Sequence, residues 1–176
     1  MDERTDEELM AQYVDGDYEA FRVLYERYAA LLEGALRRRV GNEDVARDIT
    51  QEAFVRFHRA RFDFRQGAKV RPWLYTIAFN LARDWGRKQG RRTMVEWNER
   101  DHPTESDDYV VRQEDVERVR AALDKLDEKH REVIDLHWFE GLTFPEISEV
   151  TGDGVSALKV RAHRTYKKLR AILGSV

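Results

Sequence analysis

Apolar residues recur along this chain at helical intervals almost from its first positions. Leu9, Tyr13, Phe21, Leu24, Tyr28, Leu31 and Leu32 fall at spacings that gather side chains onto one buried helix face. The period returns from about Glu43 to Arg61, with Ala46, Ile49, Ala53 and Phe57 inward and Asp44, Asp48, Gln51 and Val55 on the far side. A third run, from Pro72 to about Lys88, packs Leu74, Ile77, Ala78, Leu81 and Trp85. It opens with a proline, which suits a first turn because the amide it lacks would have no partner there. No segment alternates with the period of two that a strand requires, so the pattern predicts an all-α chain.

Between the second and third runs lies a loop, FDFRQGAKVR, from Phe62 to Arg71. It mixes aromatic, basic and glycine residues in a way that a mere connector does not need. From Thr93 to Glu117 the periodicity fails and acidic residues dominate around His102-Pro103, which reads as a linker. Helical pattern resumes near Val116 and passes through Leu123, Leu126, Val133, Ile134 and Leu136. The expected architecture is two small helical domains, residues 1–92 and 118–176, joined by a flexible acidic linker over 93–117.

The second domain ends in FPEISEVTGDGVSALKVRAHRTYKKLRAIL, Phe144 to Leu173, a helix-turn-helix pattern. Pro145 fits a first helical turn, Ile147 and Val150 give that helix an apolar edge, and Gly152 can take the left-handed conformation that ends it. A new helix starts at Val155. Leu158, Ala162 and Leu169 fall on its inner side, while Ser156, Lys159, Val160, His163 and Lys167 project outward. From Ser156 onward there are six cations (Lys159, Arg161, Arg164, Lys167, Lys168, Arg170) and no carboxylate side chain, so this face is suited to phosphate. An ordinary amphipathic hairpin with a solvated basic face would share that pattern. Thr151 and Asp153 also stand where apolar residues usually support the turn.

The charge distribution sharpens the picture. Net charge is only −3 over 176 residues, which looks wrong for a DNA-binding chain until its segregation is noticed. Acidic residues fill the first twenty positions, whereas Arg83, Arg87, Lys88, Arg91 and Arg92 crowd a short central stretch and the C-terminus forms a second basic pole. Two separated patches on an otherwise acidic molecule should bind nucleic acid selectively rather than indiscriminately. There are no cysteines, so disulfides, thiolate metal sites and cysteine nucleophiles are excluded. MDERTDEELM is acidic where a secretory signal is basic, and no stretch approaches a membrane span, so the expected compartment is the cytoplasm. His130 and His137 lie near Asp135 but without a third ligand or a nucleophile, and Asp44, Asp48 and Glu52 lack an accompanying Glu-x-x-His motif. Neither an enzyme, a metal site nor a cofactor is expected.

Two strings carry a resemblance. DITQEAFVRFHRA (Asp48 to Ala60), followed by PWLYTIAFNLARDWGRKQGRR (Pro72 to Arg92), resembles the core-binding and promoter-melting region of bacterial sigma factors. EGLTFPEISEVTG with SALKVRAHR (Glu140 to Arg164) is similar to their C-terminal promoter-binding domain. The ordered pair, with little else attached, resembles the extracytoplasmic-function (ECF) group. The resemblance implies a transcription initiation factor whose Asp48, Gln51, Glu52 and Arg56 dock on core RNA polymerase. It further implies that Phe64, Arg65, Gln66, Gly67, Lys69 and Arg71 capture a flipped base of the minus-ten element, with Asn80, Arg83, Asp84, Arg87 and Lys88 on the following helix contacting bases and backbone. Ser156, Lys159, Val160, Arg161, His163 and Arg164 would then meet the minus-thirty-five element. Implied partners are core polymerase, promoter DNA and an anti-sigma factor, through which alone any membrane contact would come. The acidic linker would run near the RNA exit path, although a solvated spacer explains its composition equally well. Trp73 and Trp85, beside Ile77 and Leu81, are expected in the core rather than stacking on bases. Two other functions share parts of this pattern. A stand-alone helix-turn-helix regulator would bind an operator as a symmetric dimer without polymerase, and a sigma-like protein without promoter activity would only bind partners.

Overall fold

The computed structural model describes residues 2–65, 67–89, 119, 121–123 and 125–173, which form two helical units. In the N-terminal unit, Thr5 and Glu8 make a capping box that starts α1 (Asp6–Val14): the Glu8 amide donates to Thr5 Oγ1 (3.2 Å) and the Thr5 amide to Glu8 Oε2 (2.7 Å). Gly16, at φ 105°, turns the chain, and the Asp17 carboxylate caps α2 (Tyr18–Val40) by accepting the Glu19 amide. Gly41 (φ 65°) ends α2, and Asn42 caps α3 (Glu43–Arg59) by accepting the Val45 amide at 3.0 Å. Only two residues separate these helices, so α2 and α3 form a hairpin. A 3-10 turn at Arg61–Asp63 leads through the loop to α4 (Val70–Lys88).

Helix α2 packs on α3, and α4 packs on α1, α2 and α3. Leu24, Leu32 and Leu36 of α2, Ala46, Ala53 and Phe57 of α3, and Leu74, Tyr75, Ala78 and Phe79 of α4 fill the shared core. Phe57 is fully buried where the helices meet, its ring centroid 6.3 Å from Tyr13, 6.4 Å from Phe21, 6.3 Å from Phe54 and 5.0 Å from Trp73. Aromatic pairs at such separations add to the burial of each ring. Helix α1 is tied down by Asp6, which accepts from Arg27 Nη1 (2.8 Å) and from the Tyr28 hydroxyl. Burial, with that hydrogen bond second, pushes the Tyr28 phenol well up from its ordinary value.

In the C-terminal unit, Asp127 caps α5 (Glu128–Ile134), which continues into a π-helical turn at Asp135–Phe139. A second capping box, Thr143 with Glu146, starts α6 (Phe144–Thr151): the Thr143 amide donates to Glu146 Oε2 at 2.8 Å. Gly152 at φ 77° closes α6, as its position in the sequence predicts, and α7 runs over Val155–Leu173. Leu123, Leu126 and Ile134 form a core cluster against which Leu169 packs, and Leu158, Ala162 and Thr165 are buried along the inner line of α7. The Thr165 hydroxyl, buried without being apolar, donates to the Arg161 carbonyl (2.8 Å).

The described residues are helical without a strand, as the periodicity predicts. Several side chains depart from it. Leu31 is 52% exposed, because the buried line of α2 runs Leu24, Tyr28, Leu32, Leu36 at steady intervals of four and Leu31 lies a hundred degrees away from Leu32. Helix α4 begins at Val70, two residues before Pro72. Its most buried line is Val70, Leu74, Tyr75, Ala78, Phe79 and Ala82, which leaves Ile77, Leu81, Trp73 and Trp85 half-buried. The expected linker at 93–117 and Gln66 lie outside the described residues. Among the described residues no helix is long and apolar enough to cross a membrane.

These positions make a stability test. In urea unfolding followed by circular dichroism, Phe57→Ala is expected to cost the N-terminal unit about 3–5 kcal/mol, the usual loss for emptying a filled aromatic site. Leu31→Ala, half exposed, is expected to cost less than about 1 kcal/mol. Equal losses at the two positions would contradict the placement of the core.

Candidate functional site

Three polar surfaces are built on these helices. The first is the outer face of α3, opposite Ala46, Ile49, Ala53 and Phe57. Asp48 and Gln51 are exposed, and Asp48 has no ion-pair partner among the described residues. Glu52 is half-exposed and accepts from Arg56 Nε at 2.8 Å, an i,i+4 pair that holds both side chains along the helix. Asp44, on the same face one turn earlier, lies 3.8 Å from Arg47, which also reaches Glu43. The face therefore offers a stripe of polar groups, among which Asp48 carries a carboxylate not already neutralised by a neighbour.

The second surface is the loop before α4 and the outer face of α4 itself. The loop is tied to the core at one end, because Phe64 is half-buried with its ring 5.1 Å from Trp73, which in turn lies against Phe57. Gly67 has φ 82°, a backbone conformation that side chains on Cβ disfavour, and no heavy atom lies within 4 Å of where its Cβ would stand. Arg65 and Lys69 are exposed, and Arg71 is half-buried with its guanidinium 5.5 Å from the Tyr75 ring centroid. At the other end of the loop, Glu7 of α1 accepts the Val70 amide (3.4 Å) and lies 3.7 Å from Lys69 Nζ. A carboxylate from another helix thus stands at the positive end of α4, where no capping side chain comes from Lys69 itself. No pattern along the chain reveals that cap, because its two halves are sixty-three residues apart.

Along α4, Asn80, Arg87 and Lys88 are exposed, and Arg83 and Asp84 are half-buried. Asn80 accepts from Arg83 Nη2 (2.6 Å), and Asp84 accepts from Arg87 one turn apart. The hydrogen bond from Arg87 holds the Asp84 carboxyl below the usual carboxylate range. These groups have partners on their own helix, so a phosphate reaching Arg87 competes with Asp84 for the same guanidinium.

The third surface is α7. Ser156, Lys159, Val160, His163, Arg164 and Lys167 are all exposed, on the side away from Leu158, Ala162 and Thr165. Arg161 differs from them. It is half-buried, and its Nη1 meets Asp153 Oδ2 at 2.5 Å, while the Asp153 carbonyl accepts the Ser148 hydroxyl at 2.8 Å. Asp153 therefore stands in the turn for a polar reason: it joins the end of α6 and the second turn of α7 through one residue. An apolar side chain there could not hold Arg161. Further along α7, Lys168 Nζ lies 3.8 Å from Asp127, and Tyr166 meets the exposed Trp138 edge-on with centroids 5.2 Å apart.

His130 and His137, the two histidines near Asp135, have separate partners. His130 Nδ1 pairs with Asp127 (2.5 Å), and His137 Nδ1–H donates to the Leu142 carbonyl (2.8 Å) while stacking on Phe144. Asp135 is buried at the start of the π-helical turn.

Comparison with known proteins addresses the whole chain. The family description Sigma-70 region 2 matches residues 24–92, and Sigma-70, region 4 matches residues 116–169. The RNA polymerase sigma factor CarQ of Myxococcus xanthus is 35% identical over 175 residues, covering 95% of this chain and 97% of that protein. The ECF RNA polymerase sigma-E factor of Haemophilus influenzae is 29% identical, covering 94% of this chain and 93% of its own length. The solved structure of CnrH in complex with the cytosolic domain of CnrY superposes with a TM-score of 0.73 at 32% identity, covering 97% of each chain. With both sigma-70 regions in order on two helical units, and with relatives matched over nearly their full length, this chain belongs to the bacterial RNA polymerase sigma factors of the extracytoplasmic-function group.

Proposed function

We propose that this sigma factor divides its work among the three surfaces described above. The outer face of α3, with Asp48, Gln51, Glu52 and Arg56, docks on core RNA polymerase. The loop from Phe64 to Arg71 and the outer face of α4 read and open the minus-ten element, and the exposed face of α7 reads the minus-thirty-five element. Residues 1–92 then act as region 2, 93–117 as a tether and 118–176 as region 4. The observation that carries this reading is the coincidence of the DITQEAF string with an exposed polar stripe whose Asp48 has no ion-pair partner among the described residues. An exposed carboxylate without a local partner is open to a partner's cation, and at a docking face that contact would be desolvated.

The family is one of transcription initiation factors rather than known enzymes. We assign this chain no catalytic step, and place it in the cytoplasm with core polymerase. Its regulation follows that of its structural neighbours, in which a sigma factor is bound by an anti-sigma factor. Such a partner, membrane-bound or not, would act by covering one of the three surfaces.

On α7 the proposal assigns base contact to Lys159, one turn into the helix with Ser156 and Val160. Arg161 serves instead to hold the turn through Asp153, which leaves Arg164 and His163 as its neighbours on the reading face. Lys168 and Arg170, two or more turns on, meet phosphate or solvent.

Two outcomes test these assignments. Asp48→Arg is expected to weaken the complex with core polymerase by roughly 2–5 kcal/mol, the range for breaking a desolvated charge contact, while leaving the circular dichroism spectrum intact. Undiminished co-purification of the folded variant would remove α3 from the docking surface. In transcription from promoter variants at two salt concentrations, Lys159→Ala is expected to cost about 1–3 kcal/mol at the preferred minus-thirty-five sequence and to relax discrimination there. Lys168→Ala is expected to weaken all promoters alike and to reduce the salt dependence. The reverse assignment of effects would show that the register placed on α7 is wrong.

A further inference from the structure

Phe62 is 67% exposed, while Phe57 is fully buried and Phe64 is half-buried against Trp73. Leaving most of a phenyl ring in water forgoes the gain from burying it. One exposed ring is ordinary; its neighbour makes this one unusual. The Arg61 guanidinium lies over the Phe62 ring, 4.2 Å from its centroid. That guanidinium is itself anchored: Nη1 donates to the His58 carbonyl at the end of α3 (2.8 Å), and its carbon lies 5.9 Å from the centroid of the buried Tyr13 ring. Phe62 thus sits on a fixed cation, with the rest of its surface in solvent. Around it the segment 61–71 carries Arg61, Arg65, Lys69 and Arg71 against the single carboxylate of Asp63. An aromatic ring held by a cation–π contact within a basic loop has the chemistry of a platform for single-stranded nucleic acid.

We propose that Phe62 is the ring on which an unpaired base of the opened promoter strand stacks. The inference rests on the reading of this loop as the minus-ten reader, and it moves the stacking role from Phe64, which is committed to Trp73, to Phe62. Every base has a π-face, so stacking favours opened DNA over duplex without choosing among sequences. Phe62 accordingly supplies affinity for the melted strand, and the choice of base remains with the polar groups of the loop.

The test uses holoenzyme assembled from core polymerase and the full chain, with fork-junction DNA selected by that holoenzyme from a pool randomised over the minus-ten element. A 2-aminopurine is placed at each unpaired position in turn. The unaltered protein is expected to change the fluorescence at one position. Phe62→Ala is expected to abolish that change and to weaken fork binding about tenfold, the scale of one lost stacked base, without reordering the preferred minus-ten bases. Phe62→Trp is expected to retain both, and binding to fully paired DNA is expected to stay the same in both variants. A Phe62→Ala holoenzyme with unchanged signal and affinity overturns the proposal, as does a signal that disappears with Phe64→Ala instead. Loss of core polymerase from Phe62→Ala also overturns it, because the ring would then belong to a protein interface. If the unaltered holoenzyme gives no position-specific signal, the reading of the loop falls and the proposal falls with it.

Discussion

The aromatic contact between Phe57 and Trp73, 5.0 Å between ring centroids, is the constraint from which the N-terminal surfaces take their positions. Phe57 belongs to α3 and packs with rings from α1 and α2, while Trp73 belongs to α4 and carries Phe64 of the loop. One buried cluster therefore fixes how α3 presents Asp48 and Gln51, where α4 begins, and where the loop leaves the core. Rigid surroundings of this kind hold a short basic loop in place, because the loop's ends are not free to move apart. The same cluster includes Tyr13, against which Arg61 lies, so the exposed ring of Phe62 is connected to the core through a single cation.

Charge is managed by pairing that a nucleic acid can replace. Arg87 with Asp84, Arg83 with Asn80, Lys69 with Glu7 and Lys168 with Asp127 each join a cation to a local partner. Most of these pairs are exposed and individually weak, so exchanging a carboxylate for a phosphate has little cost. Each such cation still gives up an existing partner, so it gains less from a phosphate than an unpaired cation does. The exposed cations of α7, Lys159, Arg164 and Lys167, have no ion-pair partner among the described residues and attract phosphate directly. Arg161 stands apart, because its pairing with Asp153 is half-buried and serves the turn rather than the surface.

Much of this could be read along the chain. The second and third helical runs of the N-terminal half, the left-handed Gly152 and the outward line Ser156, Lys159, Val160, His163 follow from spacing, because each depends only on residues within a few turns. The first run, read as one buried face from Leu9 to Leu32, is instead broken at Gly16 into α1 and α2. What escaped were features made by contacts distant in sequence. The cap on α4 comes from Glu7, so the helix starts at Val70 although Pro72 marks the obvious first turn. Because α4 is covered by three other helices, its buried face is wider and rotated from the line through Ile77 and Leu81, and Tyr75 and Phe79 lie at its centre. Asp153 looked unfavourable for a turn because local rules call for an apolar residue there, but its partner Arg161 lies two turns into the next helix. The exposure of Phe62 beside the half-burial of Phe64 has no signature in composition, because both are phenylalanines of one loop.

The central claim is that this chain gives core polymerase a promoter sequence to recognise, through surfaces on two separate helical units. Transcription by core RNA polymerase from a pool of randomised promoters, with and without the full chain, tests it most directly. The account predicts that the two together yield transcripts from a narrow set of templates sharing two short motifs, near minus ten and minus thirty-five, and that neither component alone does so. Transcripts with no shared motifs would contradict it, as would sequence-specific binding of DNA by the free chain as a symmetric dimer without any gain in transcription.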